Sequence, residues 1–167
     1  MSNSDFEPKV ICFLCTWWAY AAADLAGVSR MQYPSNIRIV RVMCSGSVSP
    51  HHILRAFQEG VDGVFVGGWR LGDCNYLYGN YSAQKRVRFL RPLLKFSGIE
   101  EDRLRARWVS SAEAPEFVEE IEDFIKALRA MGPSPLQNES IESGTLSVAT
   151  GWTKKNKENQ GKQWLKR

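Results

Sequence analysis

Four residues in this chain carry soft, redox-capable chemistry: Cys12, Cys15, Cys44 and Cys74. Thiolates ligate iron and zinc, exchange with disulfides and attack electrophiles, so their placement bounds what the protein can do. Four of them are the usual ligand set of a 2Fe-2S cluster. Zinc stays open as well, although the paired C-x-x-C knuckles of structural zinc sites are absent and only Cys12-x-x-Cys15 has that spacing. A nucleophilic role for Cys44 or Cys74 lacks a recognisable base nearby, and Cys12 inside an apolar run reads equally as core, since free cysteine is among the most buried residue types. His51 and His52 follow Ser49-Pro50 and read as solvent-facing or capping residues rather than ligands. Gly67-Gly-Trp-Arg-Leu-Gly72 has neither the G-x-G-x-x-G order nor a following Lys-Ser/Thr, which excludes a dinucleotide fingerprint and a P-loop. The segment 44–50 has small residues but no arginine, which argues against phosphatase-like chemistry at Cys44.

Thiols 30 residues apart meet only if the scaffold brings them together. Apolar runs of strand length alternate with segments of helical period between Pro8 and Pro133, the pattern of a parallel sheet covered on both faces. Strands are expected at 10–14, 37–43, 61–66 and 103–109, the last at a sheet edge with its arginines on an exposed rim. Helices are expected at about 17–28, 50–59, 82–96 and 116–131, with Ser49 as N-cap and Pro50 at the first position of the second. The fold class is therefore α/β: a small three-layer, doubly wound, mostly parallel sheet of about four strands with helices on both faces. In such a sheet, sites form outside the C-terminal ends of the strands. Cys15 follows the first strand, Cys44 the second, and Cys74 lies in the long loop after the third, so three loops of one edge each deliver a thiol; Cys12 sits three residues before Cys15.

Length and composition fit one domain: 167 residues, 44% hydrophobic and 24% charged. The net charge of +4 is not spread evenly. Residues 151–167 hold six basic side chains against Glu158, so the other 150 residues sum to −1 and the body offers no electrostatic case for nucleic acid. The composition divides the chain into a body, 1–133, and an extended basic tail, 134–167, whose Trp152 and Trp164 would suit anchors for a partner. No apolar run is long enough for a membrane span, and residues 1–8 lack the order of a signal peptide, so a cytoplasmic location is expected.

The blocks Phe13-Leu-Cys-Thr-Trp17, Ala23-Asp-Leu-Ala-Gly27, Arg30-Met-Gln-Tyr-Pro34, Ile37-Arg-Ile-Val-Arg-Val-Met-Cys-Ser-Gly46, Asp62-Gly-Val-Phe-Val-Gly-Gly68, Gly72-Asp-Cys-Asn-Tyr76 and Gly79-Asn-Tyr81 resemble the delta subunit of methyl-viologen-reducing nickel-iron hydrogenase. The likeness continues through Trp108-Val-Ser-Ser-Ala-Glu113 to Met131-Gly-Pro133 and leaves out the tail. It implies an electron-transfer subunit that carries a 2Fe-2S cluster and passes electrons from a hydrogenase or formate dehydrogenase to the flavin subunit of heterodisulfide reductase, in an electron-bifurcating complex. The resemblance also implies cysteines at positions matching Cys15, Trp18, Cys44, Trp69 and Cys74, and two of these five are tryptophan here. Two expectations follow. In one, Cys12, Cys15, Cys44 and Cys74 hold a rearranged cluster. In the other, the chain is a cluster-free docking subunit of the same complex, with Trp18 and Trp69 filling the former cluster site.

Overall fold

A computed structural model describes residues 6–136. The tail tryptophans, Trp152 and Trp164, lie outside the described residues. Four strands, β1 (Val10–Cys15), β2 (Ile37–Val42), β3 (Gly63–Gly68) and β4 (Leu104–Trp108), form one sheet in the order β2-β1-β3-β4, parallel throughout. Four helices alternate with them: α1 (Ala19–Val28), α2 (Pro50–Gln58), α3 (Gly79–Phe96) and α4 (Ala114–Met131). This is the expected doubly wound α/β architecture, with an all-parallel sheet.

The alternation of the strands sorts the core into two layers. Val10, Cys12, Leu14 and Phe65 pack with Ala19, Ala22 and Ala23 of α1 and with Phe117, Ile121 and Phe124 of α4. Phe13, Val64 and Val66 meet Ile53 and Phe57 of α2 and Val87, Leu90 and Leu94 of α3. Each helix contributes one apolar stripe, which is why the central strands read as continuous apolar runs in the sequence. Ser49 caps α2 as expected: its side chain accepts from the His52 amide, and the His52 ring accepts the Ser49 N–H at 3.2 Å.

Two expectations need correction. β3 runs through Gly67 and Gly68 instead of stopping before them. A side chain at Gly67 would meet Leu14 Cδ2 at 2.7 Å and Ala19 Cβ at 2.9 Å, and one at Gly68 would meet the Trp108 ring at 2.7 Å. The glycines are there for close packing within the strand, not to end it. Secondly, Arg103 is not on an exposed rim but has 0% of its surface exposed. Its guanidinium donates to Glu100 Oε2 (2.6 Å), Asp62 O (3.2 Å), Gly132 O (3.0 Å) and Pro133 O (3.1 Å). Arg107 does stay exposed, paired with Glu120, whereas Arg105 is half-buried with its guanidinium over the Phe124 ring at 5.0 Å.

Arg103 belongs to a polar lock at the N-terminal edge of the sheet. The buried Asp62 accepts the Lys9 N–H at 2.8 Å and the Ser134 N–H at 2.9 Å, tying the starts of β1 and β3 to the exit from α4. The packed body accordingly continues past Pro133: Ser134 is buried and Leu136 packs against the core. Arg103→Leu leaves three carbonyl groups of this lock without their donor and should cost about 3 kcal/mol in urea unfolding at neutral pH. The Glu100 carboxyl is held below the usual range chiefly by its hydrogen bond from Arg103. That contribution is complete above the unfolded carboxylate pKa and fades as pH falls through the depressed one, so the gap between the two proteins should narrow below about pH 4.

Candidate functional site

The winding reverses at β1, whose two neighbours are β2 and β3, and loops at the C-terminal ends of the strands leave room at such a point. A small pocket forms there, lined by Cys15, Trp18, Cys44, Trp69, Cys74 and Tyr76 among others. Cys15 is the last residue of β1, and Trp18 immediately precedes α1. Cys44 opens a short 3-10 turn, Ser45–Ser47, after β2. Trp69 directly follows β3, and Cys74 lies in the loop that leads to α3.

Cys44 and Cys74 are brought together, Sγ to Sγ 3.7 Å, and both are partly exposed. The Gly46 amide donates to Cys44 Sγ at 3.3 Å, and the amides of Tyr76, Asn80 and Gly79 face the Cys74 sulfur. Burial pushes the Cys74 thiol up, but those three amides and the Cys44 side chain outweigh it, so Cys74 lies below the ordinary thiol value. Cys44 goes the other way, raised by burial first, with the charges of Cys74 and Cys15 adding and the Gly46 amide opposing. Cys15 is buried on the pocket wall. Cys12 is not brought to this pocket: strand alternation turns it toward α1 and α4, with 0% exposure, and burial pushes its thiol up to about 12.

How well do these residues fit a metal centre? With metal–thiolate bonds of about 2.3 Å and tetrahedral angles, two sulfurs on one ion lie about 3.8 Å apart, so Cys44 and Cys74 match one edge of a tetrahedron. The set goes no further. Among the described residues no group of three or more His, Cys, Asp or Glu side chains is placed to hold a metal ion. Trp18 and Trp69 line the same pocket as the thiols, and their rings are in contact with each other there. A volume of about 10 Å³ remains, room for one water. A four-thiolate 2Fe-2S cluster does not fit this arrangement.

The residues that hold the loops in place were not among the candidates from sequence. A side chain at Gly79 would overlap Cys44 Sγ and sit 3.2 Å from Cys74 Sγ, so only glycine lets both sulfurs lie against the start of α3. The buried Asn80 donates to Trp69 O (3.3 Å) and Arg70 O (2.6 Å) and accepts the Tyr81 N–H (2.8 Å), fastening the exit of β3 to the same helix end. Arg86 reaches back to the carbonyls of Gly46 and Val48 and fastens the Cys44 loop. Gly79-Asn80 is visible in the sequence, but its partners are 5 to 35 residues distant. Asn80→Ala orphans two carbonyls and should cost about 2 kcal/mol in chemical denaturation. Gly79→Ala should be destabilising by about 1–3 kcal/mol and should part the two thiols, seen as faster alkylation of Cys44.

Around the pocket the surface is apolar. Trp17, Met43, Tyr76, Leu77 and Tyr78 are all exposed, Leu77 and Tyr78 by more than 70%, and Trp17 Nε1 donates to Tyr76 Oη at 3.4 Å. Leu77 holds φ at 63°, a left-handed conformation unusual for leucine, within a turn closed by its own N–H to Cys74 O at 2.8 Å. No helix among the described residues is long and apolar enough to cross a membrane.

Residues 10–132 match the protein family described as methyl-viologen-reducing hydrogenase, delta subunit. The chain is 49% identical over 133 residues to the iron-sulfur subunit of the vhc F420-non-reducing hydrogenase of Methanococcus voltae, covering 80% of this chain and 92% of that protein. It is 44% identical over 131 residues to the iron-sulfur subunit of the F420-non-reducing hydrogenase of Archaeoglobus profundus, covering 78% and 96%. A third similarity, 44% over 144 residues, is to the A-type subunit of the ferredoxin:CoB-CoM heterodisulfide reductase of Methanosarcina mazei, where it spans 85% of this chain but only 18% of the relative.

Proposed function

Since the chain belongs to the family of methyl-viologen-reducing hydrogenase delta subunits, related to a segment of the A-type subunit of heterodisulfide reductase, we propose that it is a cluster-free docking subunit. In this reading it joins a hydrogenase or formate dehydrogenase to the flavin subunit of a heterodisulfide reductase in a cytoplasmic, electron-bifurcating complex. One observation carries it: Trp18 and Trp69 meet in the wall of the pocket that the thiols also line, at the two positions where the resemblance implies cysteine. The relatives support the partner. A domain that forms part of the A-type chain in M. mazei and a separate hydrogenase subunit in M. voltae is suited to rest against an A-type subunit. The exposed rim of Trp17, Met43, Tyr76, Leu77 and Tyr78 offers aromatic and methionine side chains of the kind enriched at interfaces.

A second reading keeps the cluster. The 3.7 Å separation of Cys44 and Cys74 favours it, with Cys15 on the same pocket wall as a third ligand and a 2Fe-2S cluster passing electrons between donor and flavin. A cluster bound there would supply one-electron transfer.

Anaerobic purification followed by iron and acid-labile sulfide analysis separates the two. The docking reading expects a folded, colourless protein without stoichiometric iron and no signal by electron paramagnetic resonance after reduction. It also expects the double variant Trp18→Cys, Trp69→Cys to take up two irons per chain on reconstitution. Two irons per wild-type chain with a reducible signal would overturn it in favour of the second reading. The rim is tested apart from the cofactor: Leu77→Glu should weaken co-purification with the A-type heterodisulfide reductase homologue about tenfold while the fold is unchanged by circular dichroism.

A further inference from the structure

We infer that the outer face of α3 is a second docking surface, taken by an amphipathic helix of the donor-side subunit whose apolar strip is bordered by carboxylates. The inference rests on the reading that the chain joins two partners, and it is the same with or without a cluster.

α3 is held to the body by a buried stripe, Ala83, Val87, Leu90 and Leu94. It carries a second apolar stripe turned away from the core: Phe89, Pro92, Leu93 and Phe96 are all exposed, Phe89 by 67% and Phe96 by 90%. These positions follow the i, i+3, i+4, i+7 spacing by which one helix lies along another or in a groove. The fold makes no use of them, and an ordered apolar stripe of this kind on a surface marks a site of association.

Charge selects the occupant. α3 has five basic side chains, Lys85, Arg86, Arg88, Arg91 and Lys95, and no acidic one. Three are engaged within the body: Arg86 with the carbonyls of Gly46 and Val48, Arg91 with Asp102, and Lys95 with Glu101. Lys85 and Arg88 are exposed, with no ion-pair partner among the described residues. A helix lying along the stripe therefore meets unpaired positive charge next to Phe89, which carboxylates on its border complement. A second copy of this chain does not fit, since it would set one all-basic helix against another. A flat anionic lipid surface is opposed by Glu100 and Asp102, both exposed just beyond Phe96.

Position separates this face from the rim. α3 starts beside the pocket at Gly79 and leads back toward the start of β4, so at about 1.5 Å per residue Phe89 and Phe96 lie roughly 15 and 25 Å along it from Gly79. The rim is then left for the A-type subunit while the stripe takes the donor side.

The test uses the tagged full-length chain purified anaerobically in its native complex, with subunits identified by mass spectrometry, and a carbodiimide that couples lysine amines directly to carboxylates. Lys85 should couple to an Asp or Glu of a hydrogenase or formate dehydrogenase subunit, in a segment of helical apolar period. The double variant Phe89→Glu, Phe96→Glu should lower recovery of that subunit about tenfold, keep the A-type subunit and leave the circular dichroism unchanged. A complex that holds both partners but leaves Lys85 uncoupled, or couples it to the A-type subunit or a second copy, would overturn the inference and leave the two-partner reading standing. Full recovery of the donor subunit by the phenylalanine variant would do the same. A wild-type chain recovered with the A-type subunit alone would remove that reading and the inference with it. Vesicles of equal phosphatidylglycerol and phosphatidylcholine that retain the wild-type chain but not the phenylalanine variant would assign the stripe to lipid instead.

Discussion

The arrangement of the site depends on the reversal of winding at β1. Because β2 lies on one side of β1 and β3 on the other, the chain must leave β1 toward α1 on one face and return from β2 over α2 on the opposite face. The ends of three adjacent parallel strands then deliver their following residues to one place: Cys15 and Trp18, Cys44, and Trp69 with Cys74. Parallel pairing also fixes the height of these residues, since Cys15 stands opposite Val42 and Leu14 opposite Gly67. Local sequence contributes little beyond residue type at that edge, and the sheet contributes the rest.

The two ends of the sheet are held by different forces. At the N-terminal edge a polar lock, Asp62 and Arg103 with their amide and carbonyl partners, pins strand starts to the exit of α4. Such groups are costly to bury and are retained only when their hydrogen bonds are made, so they specify one arrangement sharply. At the C-terminal edge the fastening is mostly apolar and backbone-directed, through the two indoles, Gly79 and Asn80. Trp18 Nε1 is buried with no acceptor among the described residues, which marks volume rather than hydrogen bonding as what fixes that ring.

Much of this was legible in the sequence because it rests on local pattern. Four apolar runs alternating with four amphipathic segments give a doubly wound sheet almost by necessity, and strand ends in such a sheet are where Cys15, Cys44 and Cys74 had to gather. What failed depended on partners distant in the chain. Gly67 and Gly68 read as a strand end, since nothing local shows that Leu14, Ala19 and Trp108 crowd them. Arg103 read as exposed, because its burial depends on carbonyls at 62, 132 and 133. Gly79 and Asn80 carried no chemistry of their own, so their part in bringing two sulfurs together was invisible until the loops were placed. The contact of Trp18 with Trp69, 51 positions apart, was accessible only through the resemblance.

A metal centre and an aromatic pair can both join loops at a strand edge, but they differ in what the joint depends on. Thiolate ligation exists only while the metal is bound, so the loops it ties loosen in the apo form and the fold is coupled to metal supply and redox state. Two half-buried indoles act through apolar area, and do so whether or not any ion is present. Trp18 and Trp69 make a joint of the second kind at the edge that carries the rim of Trp17, Met43, Tyr76 and Leu77.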